Sequence, residues 1–478
     1  MRTWEFAVSL DRGDELPLFL KIARAIAEDV RRGRLAPGNP LPGSRSLARL
    51  LKVHRNTVLA AYRELVAEGW ITTSPARGTF ISRALPDTPP RRFAPAAAPH
   101  HVSARVGYDL AAAPRTHRHT RHPPGTLMLY PAVPDVTLVP VAELTRAYRR
   151  AVRAKPRSAL GYTDPEGSRR LRTALATMVA ASRGLAVSHE NVLVTRGSQM
   201  ALALVARVLI APGDAVAVEA LGYRRAWDTF RLAGARLVSV PVDHNGLRVD
   251  ALRELAACER IRAVFLTPHH QYPTTVTLSA GRRLELLDFA QAQRVAIIED
   301  DFDHEFHYDG RPVLPLASID RAGVVIYLGT LSKVLAPGLR IGYIVAPVPL
   351  LESVAMHRLL IDVQGDHGLE EALAELLENG EVQRHIRRAR RVYLGRRDAL
   401  VGALRAQLDD ALTFSVPSGG MAVWARATPG IDVDAWAARA AAKGVVFETG
   451  KHFALDGRSK PYVRLGFAAL SEASLGEA

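Results

Sequence analysis

The sequence predicts two domains of different class. A small, mainly α domain with a β wing comes first. A large α/β domain with a mostly parallel sheet and a smaller C-terminal α/β subdomain follows. Three observations lead there. At 478 residues the chain exceeds one ordinary domain. Apolar residues recur at helical spacing over residues 18–66, and from Leu127 apolar β runs alternate with amphipathic helical stretches.

With 48% hydrophobic and 23% charged residues, the composition is that of a globular protein. No apolar run is long enough to span a bilayer, and the opening MRTWEFAVSLDRGDE lacks the apolar core of a signal peptide. No membrane segment is therefore expected, and the cytoplasm is the expected compartment. One cysteine, Cys258, excludes an intramolecular disulfide framework and suits a reducing environment. The net charge of +15 is uneven: residues 1–125 hold 20 basic and 10 acidic residues, leaving +10 there and +5 for the rest. A basic N-terminal quarter points to a polyanionic partner.

Residues 1–83 form the first predicted domain. Leu18, Ile22, Ile26 and Val30 recur every four residues and mark the buried face of a helix ending at Gly33. After the APGNPLPG turn, a short helix from about Ser46 is expected to turn Leu47, Leu50 and Leu51 inward. A third, over residues 55–68, is expected to bury Val58, Tyr62, Leu65 and Val66. Short β runs at 70–73 and 79–82 then form a two-stranded wing.

Three helices and a wing describe a winged helix-turn-helix, whose third helix enters the major groove of double-stranded DNA. His54, Arg55, Asn56 and Thr57 fall at the N-terminal end of that helix, where base edges are reached. Arg55 and Asn56 are suited to bidentate pairing with guanine or adenine. Arg45 opens the second helix beside the phosphate backbone, and Arg77, Gly78 and Thr79 form the wing. The stretches LPGSRSLA, RNTV, AYRELVAEGW and RGTF, in this order, resemble the GntR-type DNA-binding domain.

Residues 84–125 contain eight prolines, six arginines and five histidines with few large apolar side chains, the composition of an extended linker. The run from His117 to His122 lacks the acidic or thiolate company and the rigid frame that metal ligands need, so no metal site is expected.

In the large domain, residues 126–478, polar motifs fall just after apolar strands, at the sheet end where ligands bind. After Val192–Thr195, Gly197, Ser198 and Gln199 open a helix whose free N–H groups suit a phosphate. Tyr223 follows residues 215–219 and is placed to stack on a flat ring, with Arg225 near for a carboxylate. His270 and Gln271 follow residues 263–267 and are assigned to the same ligand. Asp300 follows 295–298 and can salt-bridge a pyridine nitrogen. Lys333 follows an apolar run at 324–328. Its poor solvation should lower its pKa and leave the neutral amine that attacks an aldehyde. Thr330, Ser332 and Arg340 surround it for an anionic group.

GYTDPEGSRRLRTALA, TRGSQMAL, IEDDFDHEF, GTLSKVLAPGLRIGY and VRLGFAAL resemble the fold-type-I aminotransferase family. The resemblance implies pyridoxal 5'-phosphate bound as an internal aldimine on Lys333, with Asp300 rather than Asp301 as the pyridinium partner. It assigns Ser198, Gln199, Ser332 and Arg340 to the phosphate region, Tyr223 to the ring and Arg464 to the substrate carboxylate. Three departures stand out. Phe302 replaces a tyrosine able to hydrogen-bond the cofactor's phenolic oxygen, Thr275 replaces the glycine of a Pro-Thr-Gly turn, and Ala132-Val133 replaces a glycine before Pro134.

A GntR-type reader, a Pro-rich linker and an aminotransferase-like domain in this order resemble the MocR family of transcriptional regulators. The resemblance implies a homodimer with a swapped arrangement, a DNA operator, and an amino compound or the cofactor itself as effector; weak turnover at most is expected, because turnover destroys the effector that a regulator must hold. Two alternatives stay open: a working aminotransferase with an N-terminal DNA anchor, and a plain DNA-binding regulator with a vestigial large domain, which the intact Lys333, Asp300 and Arg464 argue against.

Overall fold

The computed structural model describes residues 16–74, 77–86, 105–110, 122–130, 132–310 and 312–478. The chain divides into two compact units, Met1–Ala111 and Ala112–Ala478. Most of the predicted linker, including His117 and His119, lies outside the described residues.

The small unit contains helices α1 (Leu18–Arg31), α2 (Ser44–Leu51) and α3 (Arg55–Ala67). Ile22, Ile26, Leu47, Val58 and Leu65 fill its core. Two inward assignments need correction: Leu50 and Val66 are 51% and 44% exposed. Ala48 and Ala61 are buried instead. At these crossings the helices approach over small side chains, which turns the bulkier neighbours out to solvent. The wing also gains a strand. Besides β2 (Ile71–Ser74) and β3 (Gly78–Ile81), the pair Pro40–Leu41, β1, adds to β3 antiparallel, giving the order β1-β3-β2. Proline on this edge is tolerated because an edge strand has one unpaired side.

The large unit is built on seven strands: β4 (Val192–Thr195), β5 (Ala215–Glu219), β6 (Arg236–Val240), β7 (Ile261–Leu266), β8 (Ala296–Asp301), β9 (Val325–Thr330) and β10 (Gly342–Val345). Their order is β4-β10-β9-β8-β7-β5-β6, parallel except where β10 pairs antiparallel with β9 and β4. All these strands except β6 are almost wholly buried, as a sheet covered by helices on both faces requires. Helices α4 (Ser198–Leu209), α5 (Arg224–Leu232) and α6 (Val348–Ile361) belong to this layer.

β9 runs two residues further than its apolar stretch suggests, through Gly329 and Thr330. A Cβ on Gly329 would stand 2.2 Å from the Tyr343 ring, so only glycine lets β10 lie this close. A smaller C-terminal layer follows the long helix α7 (Glu381–Leu408). Its antiparallel strands β11 (Leu412–Phe414), β12 (Ala422–Ala427), β13 (Glu448–Thr449) and β14 (Tyr462–Gly466) are ordered β11-β12-β14-β13. Among the described residues no helix is long and apolar enough to cross a membrane.

Candidate functional site

The chemistry gathers at the carboxyl ends of β4, β7, β8 and β9. Asp300 lies at the end of β8 and pairs in register with Leu328 on β9, five residues before Lys333. Burial lowers the Lys333 amine to about 8, against the opposing pull of Asp300 and Asp303. Burial also raises Asp300 to about 7; the neighbouring Asp301 adds to this and Lys333 opposes it. An amine and an acid thus face each other, both desolvated and both close to neutrality. Nζ of Lys333 donates to the Ala132 carbonyl at 2.7 Å. Asp300 Oδ1 is buried without a hydrogen-bond partner among the described residues.

Asp301 points the other way, as alternation along a strand demands. Burial works against its ionisation, yet His304 and Arg183 overcome it and hold the carboxyl well below its usual range. It accepts from the Tyr327 hydroxyl at 2.7 Å and lies 3.2 Å from His304 Nδ1. Asp301 is therefore committed to the fold, and Asp300 faces the lysine.

At the end of β4, Gly197 caps α4 with φ +80°. Arg340, itself left-handed at φ 52°, donates from Nη2 to the Arg196 carbonyl at 3.0 Å. A Cβ on Gly197 would meet that nitrogen at 2.7 Å, so the glycine is needed both for its dihedral and for the arginine's approach. Ser198 and Gln199 form the first turn of α4, whose N–H groups have no acceptor within the helix. The Ser332 hydroxyl and Gln199 Oε1 are buried without partners among the described residues. Thr330 is occupied locally: its hydroxyl donates to the Ile341 carbonyl at 3.2 Å and accepts from the Ser332 N–H at 3.0 Å.

Tyr223 precedes α5 and meets Tyr272 edge-on at 5.7 Å. Arg464, on β14, is 2% exposed, and its guanidinium lies 4.1 Å from the centre of the Tyr272 ring. Its Nε and Nη1 donate to nothing among the described residues, which makes it a buried cation with donors available for an anion. Arg225 is exposed.

His270 and Gln271 make loop contacts. His270 Nδ1 lies 2.9 Å from Asp303. The Gln271 amide donates to the Leu221 and Tyr272 carbonyls and its Oε1 accepts from Thr274. Sequence reasoning missed Tyr272, which Pro273 disguises as a turn residue. It also missed Glu448, a carboxyl that burial raises beside Arg464 and Arg225; two-residue β13 offers no periodicity to reveal it.

The glycine replacements keep a glycine's backbone: Ala132 has φ 56° and Thr275 φ 64°. Phe302, 9% exposed, packs edge-on against Tyr272 at 5.9 Å.

In the small unit, His54 caps α3 by accepting the Asn56 N–H on Nδ1 at 3.2 Å. Arg55 donates to Ser44 Oγ at 3.3 Å, tying α3 to the start of α2. Arg45, His54, Arg55, Asn56, Arg77 and Gly78 are exposed, and Thr57 and Thr79 are half-buried.

Two family models match the chain: bacterial regulatory proteins of the gntR family over residues 18–81, and aminotransferase class I and II over 135–478. The probable rhizopine catabolism regulatory protein MocR of Rhizobium meliloti is 32% identical over 441 residues, covering 92% of this chain and 87% of the relative. This chain belongs to the MocR family of transcriptional regulators. The pyridoxine biosynthesis regulator PdxR of Corynebacterium glutamicum, another HTH-type relative of this MocR-family chain, is also 32% identical, with 94% and 95% covered. The large unit is similar to the α-aminoadipate aminotransferase LysN of Thermus thermophilus, solved with N-(5'-phosphopyridoxyl)-L-leucine. The TM-score is 0.69 at 32% identity, over 74% of this chain and 90% of that one. The regulator thus couples a DNA-binding GntR-type domain to an aminotransferase-fold domain.

Proposed function

We propose that this MocR-family regulator holds pyridoxal 5'-phosphate at Lys333 and uses it to sense an amino compound, or the cofactor itself, while its N-terminal units read a DNA operator. The observation that carries the reading is the pairing of a buried, low-pKa Lys333 with a buried Asp300 that has an unpartnered oxygen among the described residues. The residues fit the cofactor. Asp300 Oδ1 suits a protonated ring nitrogen. Gly197, Ser198, Gln199, Ser332 and Arg340 form an anion cradle, and Tyr223 borders the ring.

Bound there, the cofactor supplies an aldehyde that amines attack reversibly and a ring that withdraws electrons. Burial brings the Lys333 amine down to about 8, so the neutral, nucleophilic Nζ forms far more readily near neutral pH than on an ordinary lysine. Asp300 holds a proton on the ring side by its negative charge. Arg464 binds the effector's carboxylate through its two available donors, with Arg225 assisting at the rim. Lys333 would hold the cofactor through Nζ, and an amine competing for its aldehyde would change the contacts that Nζ makes. That differential contact is what a ligand needs to shift a DNA-binding equilibrium.

The assembly expected is a homodimer in the cytoplasm. It is supported by an apolar ridge on the large unit, where Leu360 and Tyr162 are 87% and 91% exposed. Gln364 bonds the Gly161 carbonyl and the Thr163 N–H, joining the two halves of that ridge. The similarity to an aminotransferase and the available Arg464 donors favour a second reading, a turning-over enzyme anchored to DNA.

The deciding experiment adds candidate amines and amino acids while recording the cofactor's absorbance and operator affinity together. The sensor reading expects both to change with little keto acid released, and Lys333→Ala to abolish both responses. Multiple turnover with unchanged DNA affinity would favour the anchored enzyme.

A further inference from the structure

Away from the lysine, four histidines from two loops pack together: His269 and His270 after β7, His304 and His307 after β8. Ring centroids of His269 lie 4.2 Å from His270 and 4.6 Å from His304. All four are buried. Ring nitrogens of His269, His270 and His307 stand within 4.8 Å of one another. We propose that His269, His270 and His307 bind a divalent transition metal ion of the zinc class.

The tautomer of His270 is set for this. Asp303 Oδ1 lies 2.9 Å from Nδ1, so the carboxylate keeps the proton there and leaves the Nε2 lone pair available. Such a carboxylate–histidine pair is how metal-bound imidazoles are oriented. Nε2 faces His307 Nδ1 at 3.5 Å. Two nitrogens bound to tetrahedral zinc at about 2.0–2.1 Å stand roughly 3.3 Å apart, so this pair is already at ligand spacing.

His269 supplies the independent sign. It is 4% exposed, and neither ring nitrogen has a hydrogen-bond partner among the described residues. Leaving such a group bare is unfavourable, and ligation of one nitrogen offsets that penalty. Gly419 keeps the space in front of His270 Nε2 open, since a Cβ there would stand 2.2 Å from that nitrogen. His304 is not a ligand: its Nδ1 faces Asp301 at 3.2 Å. The widest pair must close by roughly 1.5 Å to reach zinc spacing.

The donor set decides the ion. Three imidazoles without thiolate select Zn²⁺, Co²⁺, Ni²⁺ or Cu²⁺ over Mg²⁺ and Ca²⁺, with water completing the coordination. Asp303 and Asp301 supply negative charge near the cluster. The ion would clasp the loop that carries Tyr272 to the loop that carries Phe302.

The test uses tag-free, full-length protein stripped with a chelator, then dialysed against Zn²⁺ or Mg²⁺ and assayed for metal content and thermal midpoint. About one zinc per chain is expected to survive gel filtration and raise the midpoint, with no effect of Mg²⁺. His269→Ala and His307→Ala should each weaken zinc retention about tenfold or more. Replacing the linker residues His100, His101, His117, His119 and His122 by alanine should leave the zinc in place. If the unaltered protein retains no stoichiometric zinc, the proposal fails whatever the variants do. It fails equally if the zinc leaves with the linker histidines, or if a folded His269 or His307 variant holds zinc as before. Variants that do not fold leave the decision to the unaltered and linker-altered proteins.

Discussion

Lys333 Nζ is hydrogen-bonded at 2.7 Å to the carbonyl oxygen of Ala132, in the segment that leads from the linker into the large unit. The lysine thus holds a backbone group that lies 201 residues upstream. Ala132 is left-handed at φ 56°, so its carbonyl is presented by a conformation L-residues seldom adopt. Engaging Nζ elsewhere removes the donor from that carbonyl, which links events at the lysine to the chain segment nearest the DNA-reading unit in sequence.

The pH dependence of cofactor capture follows from the lysine. Its folded pKa, about 8, is depressed below 10.5 by burial. Between those values the unfolded chain binds the extra proton, so this group's penalty on stability is full below about 8 and is relieved as pH rises through the window. The same deprotonation exposes the nucleophile. Apo-protein mixed with pyridoxal 5'-phosphate should form its absorbance band at a rate that rises with pH about a midpoint near 8. A midpoint at the ordinary lysine value of 10.5 would refute the assignment.

Asp300 and Asp301 should separate cleanly. Asp300→Ala should weaken cofactor retention by about 1.5–3 kcal/mol, roughly tenfold or more, with the apo-protein's thermal midpoint little changed. Asp301→Ala leaves His304 buried without its carboxylate and Arg183 with Glu305 alone, and should cost the fold about 3–5 kcal/mol. Equal effects of the two on apo-protein stability would show that Asp300 too is structural.

On DNA, Arg55→Ala should relax base preference by roughly 1–3 kcal/mol at the affected position. Arg45→Ala should weaken all sequences alike and reduce the salt slope by about one. Binding titrations on specific and scrambled duplexes at several salt concentrations distinguish the two. A uniform loss for Arg55→Ala removes its base-reading role.

Thr275 has φ 64°, where an L-residue costs about 1–2 kcal/mol and glycine nothing. Glycine's greater unfolded-state entropy returns roughly 0.4–1 kcal/mol of that. Thr275→Gly should therefore stabilise the protein by about 0.5–1 kcal/mol in chemical denaturation. Thr274→Gly should do the reverse, because the Thr274 hydroxyl donates to Gln271 Oε1 at 2.6 Å.

Much of this was legible in sequence. Lys333, Asp300 and the Gly197–Gln199 turn each follow an apolar strand, and strand ends are where an open α/β sheet binds ligands. Asp300 and Asp301 present opposite faces of β8, Asp300 toward Lys333 and Asp301 toward Arg183 and His304. What escaped has physical causes. Leu50 and Val66 sit beside helix contacts that small alanines define. β1 is two residues long and carries a proline, too short to show a period. The Ala132 carbonyl is a backbone group, and backbone groups have no sequence signature. The histidine cluster joins loops separated by the whole of β8 and the helix before it, whereas the conspicuous histidines lie in the linker.

The antiparallel strand β10 has a consequence for assembly. It lies between β4 and β9, so Thr195 and Gly342, the residues that bring the Gly197–Gln199 turn against the Arg340 loop, become neighbours only across a very long stretch of chain. Contacts of such high sequence separation carry a large loop-closure cost and form late. The proposed cofactor pocket is then expected to be among the last parts of the large unit to take shape during refolding. If bound as proposed, pyridoxal 5'-phosphate should slow unfolding of the finished domain but find no formed pocket on an unfolded chain, and so should leave the refolding rate unchanged.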